Sequence, residues 1–166
     1  LNLPTALTAL DVLNGSGGLR IAPQDVRRGF ASAARATGLR GRWERLGERP
    51  FVVCDTGHNE SGIAEVAAQI ARQTYRKLYM VVGFVEDKDL SRVLPLLPRQ
   101  AHYVFTKAGI RRALDERELA RRAAGYGLQG ECVPTVNEAL ARARELAGPD
   151  DMIFIGGSTY VVAEVL

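Results

Sequence analysis

The 166 residues are 46% hydrophobic and 25% charged, with two cysteines and a net charge of +3. Such a composition is globular rather than disordered, and a chain of this size buries about 70% of its unfolded surface without a disulfide or metal staple. No apolar run approaches the roughly 20 residues of a membrane span, and the 22 basic residues, 19 of them Arg, are interleaved with 19 acidic ones instead of forming a nucleic-acid-binding arm.

Cys54 and Cys132 stand alone, without CxxC or His-rich spacing, so no zinc site is expected and a reducing cytoplasm is the expected setting. Leu1-Asn2-Leu3-Pro4 has no charged n-region and is not read as a signal peptide. The missing initiator Met suggests a piece of a longer protein.

The first 38 residues read as helix, loop, helix. Leu7, Leu10 and Leu13 belong to a largely apolar helix, stopped by Asn14-Gly15-Ser16-Gly17-Gly18. Pro23 opens a second helix that runs through Val26 and Phe30 to about Thr37. From Arg42 the pattern alternates between strand and helix. Arg42–Leu46 and Phe51–Cys54 are short strands, and the intervening Gly-Glu-Arg-Pro favours an antiparallel hairpin. Ile63, Val66, Ala67 and Ile70 have helical spacing within 59–74, and 78–82 is a buried-type apolar strand. Residues 90–97 read as a short helix capped by Asp89, and 102–105 as a strand. Helices over 115–124 and 135–147 start with capping-box spacing, around a weak strand at 131–133. A strand at 152–155 and a helix at 158–166 complete the chain. This alternation predicts an α/β fold whose sheet is covered on both faces, with ligands at the loops that follow the strands' carboxyl ends.

Those loops hold the candidate chemistry. Asp55-Thr56-Gly57-His58-Asn59 offers a strand-end carboxylate, an imidazole and a helix cap beside free N–H groups; a polar turn explains it equally well. Lys88 lies between Asp87 and Asp89, either in a solvated turn or beside a ligand's negative charge. Gly156-Gly157-Ser158-Thr159-Tyr160 leaves backbone N–H groups approachable, or makes a tight turn. Arg42 presents a planar fork suited to phosphate, though alone it reads as a surface Arg. Lys107, Arg111 and Arg112 read as solvated charge, and His102 as structural. Neither GxGxxG nor GxxxxGK[ST] occurs, nor do a Ser/His/Asp arrangement or HExxH metal spacing.

In order, Gly41-Arg42-x-Glu44, Asp55-Thr56-Gly57-His58-Asn59, Asp87-Lys88-Asp89 and Gly157-Ser158-x-Tyr160 resemble the C-terminal domain of folylpolyglutamate synthase/dihydrofolate synthase, in the Mur ligase family. The family's usual Asp-Gly-Ala-His-Asn appears here as Asp-Thr-Gly-His-Asn. Arg112-Ala113-Leu114 and Glu118-Leu119-Ala120 also look like family sequence.

The resemblance implies a Rossmann-like three-layer sandwich with a mostly parallel sheet over 41–166, and a helical remnant of a central ATPase domain plus linker over 1–40. It implies an ATP-dependent ligase that joins L-glutamate to folate or dihydropteroate through an acyl phosphate, with Mg²⁺ held by the central domain of the same chain. Arg42 and Asp55 match positions that contact ATP, His58 and Asn59 complete the same loop toward phosphate or ribose, and Asn2 or Thr5 matches the adenine contact. His58 and Lys88 are the implied catalytic residues, and Ser158 and Tyr160 the implied substrate contacts. A chain without the P-loop domain is expected to be inactive alone, with neither nucleic acid nor membrane as a partner. The alternatives are the corresponding domain of a UDP-muramyl peptide ligase, or a non-catalytic α/β module for a nucleotide or anion.

Overall fold

The computed structural model describes residues 3–166, and the adenine contact expected of Asn2 lies outside the described residues. The chain divides into two compact units, Leu1–Leu39 and Arg40–Leu166.

In the first unit, α1 (Leu3–Gly15) and α2 (Pro23–Thr37) are joined by the glycine-rich loop. The Asn14 amide fixes that loop: Nδ2 donates to the Ile21 carbonyl and Oδ1 accepts from the Ile21 N–H. Pro23 occupies the first turn of α2, where no intrahelical donor is needed. Neither helix buries a residue.

The second unit is built on a six-stranded sheet of order β1-β2-β6-β3-β4-β5. Its strands are β1 (Glu44–Gly47), β2 (Phe51–Asp55), β3 (Leu78–Val82), β4 (His102–Phe105), β5 (Gly130–Cys132) and β6 (Met152–Gly156). Only β1 runs antiparallel, paired to β2 with a bulge between Arg45 and Gly47. The helices are α3 (Glu60–Ala71), α4 (Glu116–Ala124), α5 (Val136–Leu146) and α6 (Thr159–Ala163).

Alternation along the strands separates two cores. Val53, Met80, Val82, Phe105 and Phe154 face α3 and α4. Val52, Tyr79, Val81, Val104, Ile153 and Ile155 face α5 and α6. The sheet is mostly parallel and covered on both sides, as the strand-helix alternation predicts.

Several elements differ from the sequence expectation: β1 begins at Glu44 rather than Arg42, and α3 ends at Ala71 rather than Thr74. Residues 90–97 form two 3₁₀ turns, Leu90–Arg92 and Leu94–Leu96, instead of one helix. Pro95 has no N–H to extend an α-helical ladder, and Val93, Leu96 and Leu97 donate three residues back. The last helix stops at Ala163, short of the expected Leu166. The capping boxes are also incomplete. Asp115 accepts from the Arg117 and Glu118 N–H groups, while the Glu118 carboxylate turns to Arg121 and Arg122, which hold its pKa down at about 2.

Candidate functional site

Connections leaving neighbouring strands on opposite faces open a crevice at the carboxyl edge of a parallel sheet. The segment after β3 packs on the α3 face, through Leu90 and Val93. The segment after β6 packs on the α5 face, through Val161 and Val162. Between them lies a cleft of about 510 Å³, lined by His58, Asp87, Lys88, Arg112, Ser158 and Tyr160 along with Val85, Gly157 and Thr159. The fold thus brings together the expected His58, Lys88, Ser158 and Tyr160.

Local bonds set each side chain. Asn59 caps α3, its Oδ1 accepting from the Gly62 N–H at 2.8 Å and from the Ser61 hydroxyl at 3.2 Å. That cap orients the exposed His58 just before it. His58 Nδ1 lies 3.0 Å from the Thr56 carbonyl oxygen. A carbonyl only accepts, so Nδ1 is the donor in this contact, and Nε2 is the ring nitrogen left for a ligand.

The loops after β3 and β4 are zipped together. Val85 bridges Ala113, the Glu86 N–H donates to the Arg112 carbonyl at 3.0 Å, and the Leu114 N–H to the Phe84 carbonyl at 2.9 Å. This fixes the backbones that carry Lys88 and Arg112. Lys88 is half-buried, and its ammonium joins no ion pair among the described residues. Ser158 is buried, with Oγ accepting from the Tyr160 N–H at 3.1 Å.

Gly157 has φ +90°, a conformation that disfavours any side chain. A Cβ there would lie 2.9 Å from the Gly83 carbonyl oxygen and 2.9 Å from the Phe84 ring. Glycine thus lets the β6 turn pass close to the end of β3.

Neither Arg42 nor Asp55 lines the cleft. The Asp55 carboxylate is buried beneath the hairpin, where Oδ2 accepts from the Trp43 N–H and Oδ1 from the Gly57 N–H, each at 2.7 Å. It therefore ties the exposed Arg42 segment to the β2 loop. Glu44 secures the same segment through the Gly41 N–H, and this bond, aided by Arg40, keeps its carboxyl below the ordinary range. Burial first, then the charges of Glu44 and Asp55, push the Cys54 thiol up to about 11, so it is no nucleophile at neutral pH.

Arg112 is the cleft residue that sequence reasoning missed. Its neighbour Lys107 is paired with Glu116 at 2.8 Å and Asp115 at 3.0 Å. Arg112 instead turns into the cleft, where NH2 donates to the Tyr160 hydroxyl at 2.7 Å. The available signal was its place in a strand-end loop, in the family-like Arg-Ala-Leu run.

With two cations, an imidazole and the hydroxyl residues Ser158, Thr159 and Tyr160 against the lone carboxylate of Asp87, the cleft suits an anion such as a phosphate or carboxylate. Among the described residues no group of three or more His, Cys, Asp or Glu is placed to hold a metal ion.

Residues 41–159 match the family model of the Mur ligase, glutamate ligase domain. The chain belongs to this family. The glutamate ligase domain described here is 38% identical over 149 residues to the probable bifunctional folylpolyglutamate synthase/dihydropteroate synthase of Haloferax volcanii, a match covering 85% of this chain and 18% of that protein. It is 29% identical over 166 residues to the dihydrofolate synthase/folylpolyglutamate synthase of Escherichia coli, covering 98% of this chain and 37% of that one. Among solved structures, a bifunctional folylpolyglutamate synthase/dihydrofolate synthase with Mn, AMPPNP and L-glutamate bound superposes with a TM-score of 0.81 at 26% identity, covering 99% of this chain and 39% of that one. The chain thus spans well under half the length of these relatives.

Proposed function

We propose that this chain is the C-terminal domain of an ATP-dependent ligase that joins L-glutamate to folate or dihydropteroate. The observation that carries the reading is the cleft. Its cations and imidazole converge on one space in a fold similar to an enzyme crystallised with AMPPNP and L-glutamate. Residues 1–40 are then the end of a central ATPase domain and its linker, and 41–166 the glutamate ligase domain. The division between Leu39 and Arg40, and two helices that bury none of their residues, support this boundary.

ATP supplies the leaving group: transfer of its γ-phosphoryl group to the acceptor carboxylate gives an acyl phosphate, which the glutamate amine attacks. The chain's own residues position and neutralise. Lys88 faces the transferred phosphoryl group with an ammonium uncancelled by a carboxylate, and so stabilises charge developing on its oxygens. His58 Nε2 accepts the proton that the amine loses on attack. The Ser158 hydroxyl, whose oxygen already accepts from the Tyr160 N–H, donates its proton to the substrate. Arg42 supplies a cation to the nucleotide from outside the cleft, on a loop that Asp55 holds. Asn59 uses Oδ1 for its helix cap and keeps Nδ2 to donate to phosphate or ribose. The metal ligands, the P-loop and most of the folate site belong to the central domain, so the isolated chain does not turn over.

Cytoplasmic residence is part of the proposal. Two free thiols support it, and among the described residues no helix is long and apolar enough to cross a membrane.

The test is an assay of the full-length enzyme with ATP, Mg²⁺ and L-glutamate, comparing dihydropteroate and tetrahydrofolate as acceptors. Glutamate-dependent ADP release with at least one acceptor is expected. No release with either overturns the reading.

A further inference from the structure

Many cations of this domain are paired with carboxylates. Arg121 and Arg122 both bond Glu118 at 2.7 Å, Arg142 bonds Glu131 at 3.1 Å, and Lys107 sits between Asp115 and Glu116. Arg112 is held differently. Its NH2 donates to the Tyr160 hydroxyl at 2.7 Å, and its guanidinium carbon lies 5.2 Å from the centroid of the same ring. Its carboxylate contact, Asp87, is longer at 3.7 Å and exposed to solvent, where screening weakens it.

A phenol is neutral. Its oxygen fixes the direction of one N–H, and its ring holds the guanidinium by cation–π attraction. Neither contact cancels the positive charge. The Arg112 backbone is pinned independently, through the bond from the Glu86 N–H to its carbonyl. The result is a pre-aimed cation on the cleft wall whose carboxylate partner, Asp87, is distant and screened by solvent.

We propose that Tyr160 is a positioning residue that holds Arg112 ready to take a carboxylate of the incoming amino acid. Tyr160 then acts on the substrate through Arg112. The inference rests on the ligase reading above and adds how the cleft selects its amine substrate. An acidic amino acid brings a carboxylate that replaces water on the guanidinium fork at little further ordering cost, because the side chain is already fixed.

The experiment is steady-state ligation by the full-length enzyme, with glutamate as the varied substrate. Tyr160→Phe keeps the ring and loses the hydroxyl. It should raise KM for glutamate about tenfold, the scale of one charge-assisted hydrogen bond. Its kcat should stay within about twofold of wild type and its KM for ATP should not move. Arg112→Gln should raise KM for glutamate about a hundredfold, and Arg112→Lys should recover only part of that, since an ammonium lacks the planar fork. In an Arg112→Gln background, Tyr160→Phe should add nothing, which is the signature of a residue acting through another.

Unchanged KM for glutamate in Tyr160→Phe overturns the proposal. So does an equal rise with and without Arg112, which would make Tyr160 an independent contact. If the wild-type enzyme joins no glutamate at all, the ligase reading itself fails and this inference falls with it. Ligation by wild type with an indifferent Tyr160→Phe sinks the inference alone.

Discussion

The Asp55 carboxylate accepts the Trp43 N–H at 2.7 Å, joining the end of β2 to the residue that enters β1. Trp43 has a positive φ of 46°, and the bond holds it there. The second carboxylate oxygen receives the Gly57 N–H at 2.7 Å, so one side chain sets both the Arg42 loop and the β2–α3 turn. Asp55→Ala should therefore destabilise the chain by about 3–6 kcal/mol, two charge-assisted bonds taken together. Asp55→Asn keeps one acceptor and should lose about half as much. Urea denaturation checks both; an Asp55→Ala midpoint equal to wild type contradicts the assignment. Lost ligation in Asp55→Ala would report this loop geometry as well as any nucleotide contact.

Gly157 is the second point where backbone decides the site. Alanine there would hold a strained φ of +90° and drive its Cβ against the Gly83 carbonyl and the Phe84 ring. The expected cost is about 2 kcal/mol or more, with a narrowed cleft. A Gly157→Ala variant as stable as wild type would show that the β6 turn can relax freely.

Asp151 supplies the acid sensitivity at the opposite end of the sheet. Burial pushes its carboxyl up, but Arg76, at two distances of 3.1 Å, and the N–H groups of Gly148 and Lys77 outweigh it, so its pKa lies below the ordinary value. A carboxyl lowered on folding binds protons more weakly in the folded state. Its stabilisation is complete above the unfolded pKa of about 3.9 and is lost as pH falls through the folded value. Asp151→Asn should be less stable at pH 7 and show a flatter loss of stability below pH ~5. Parallel acid-unfolding curves for the two proteins contradict this.

Much of the fold was legible because hydrophobic periodicity and turn residues agreed. The bounds of β3 and β4 follow directly from continuous apolar runs. The turns around Leu90–Leu96 did not, because Asp89 signals a helix start while Pro95 prevents its continuation. At the site, His58, Lys88, Ser158 and Tyr160 were legible because strand-end loops of a parallel sheet share one edge. Arg112 was not, because three basic residues in one loop look alike until the bridge between Val85 and Ala113 aims one of them inward. The engagement of Asp55 by Trp43 was equally hidden, since a local sequence does not announce a bond across a hairpin.

The central claim is that the phosphoryl group and the amine meet at the carboxyl edge of this sheet. The most direct measurement is kcat for glutamate ligation by the full-length enzyme with Lys88→Met, which removes the ammonium and keeps a flexible stem. A fall of about a hundredfold at saturating ATP and glutamate, with the fold retained by circular dichroism, is the predicted result. Wild-type kcat in that variant would contradict the account.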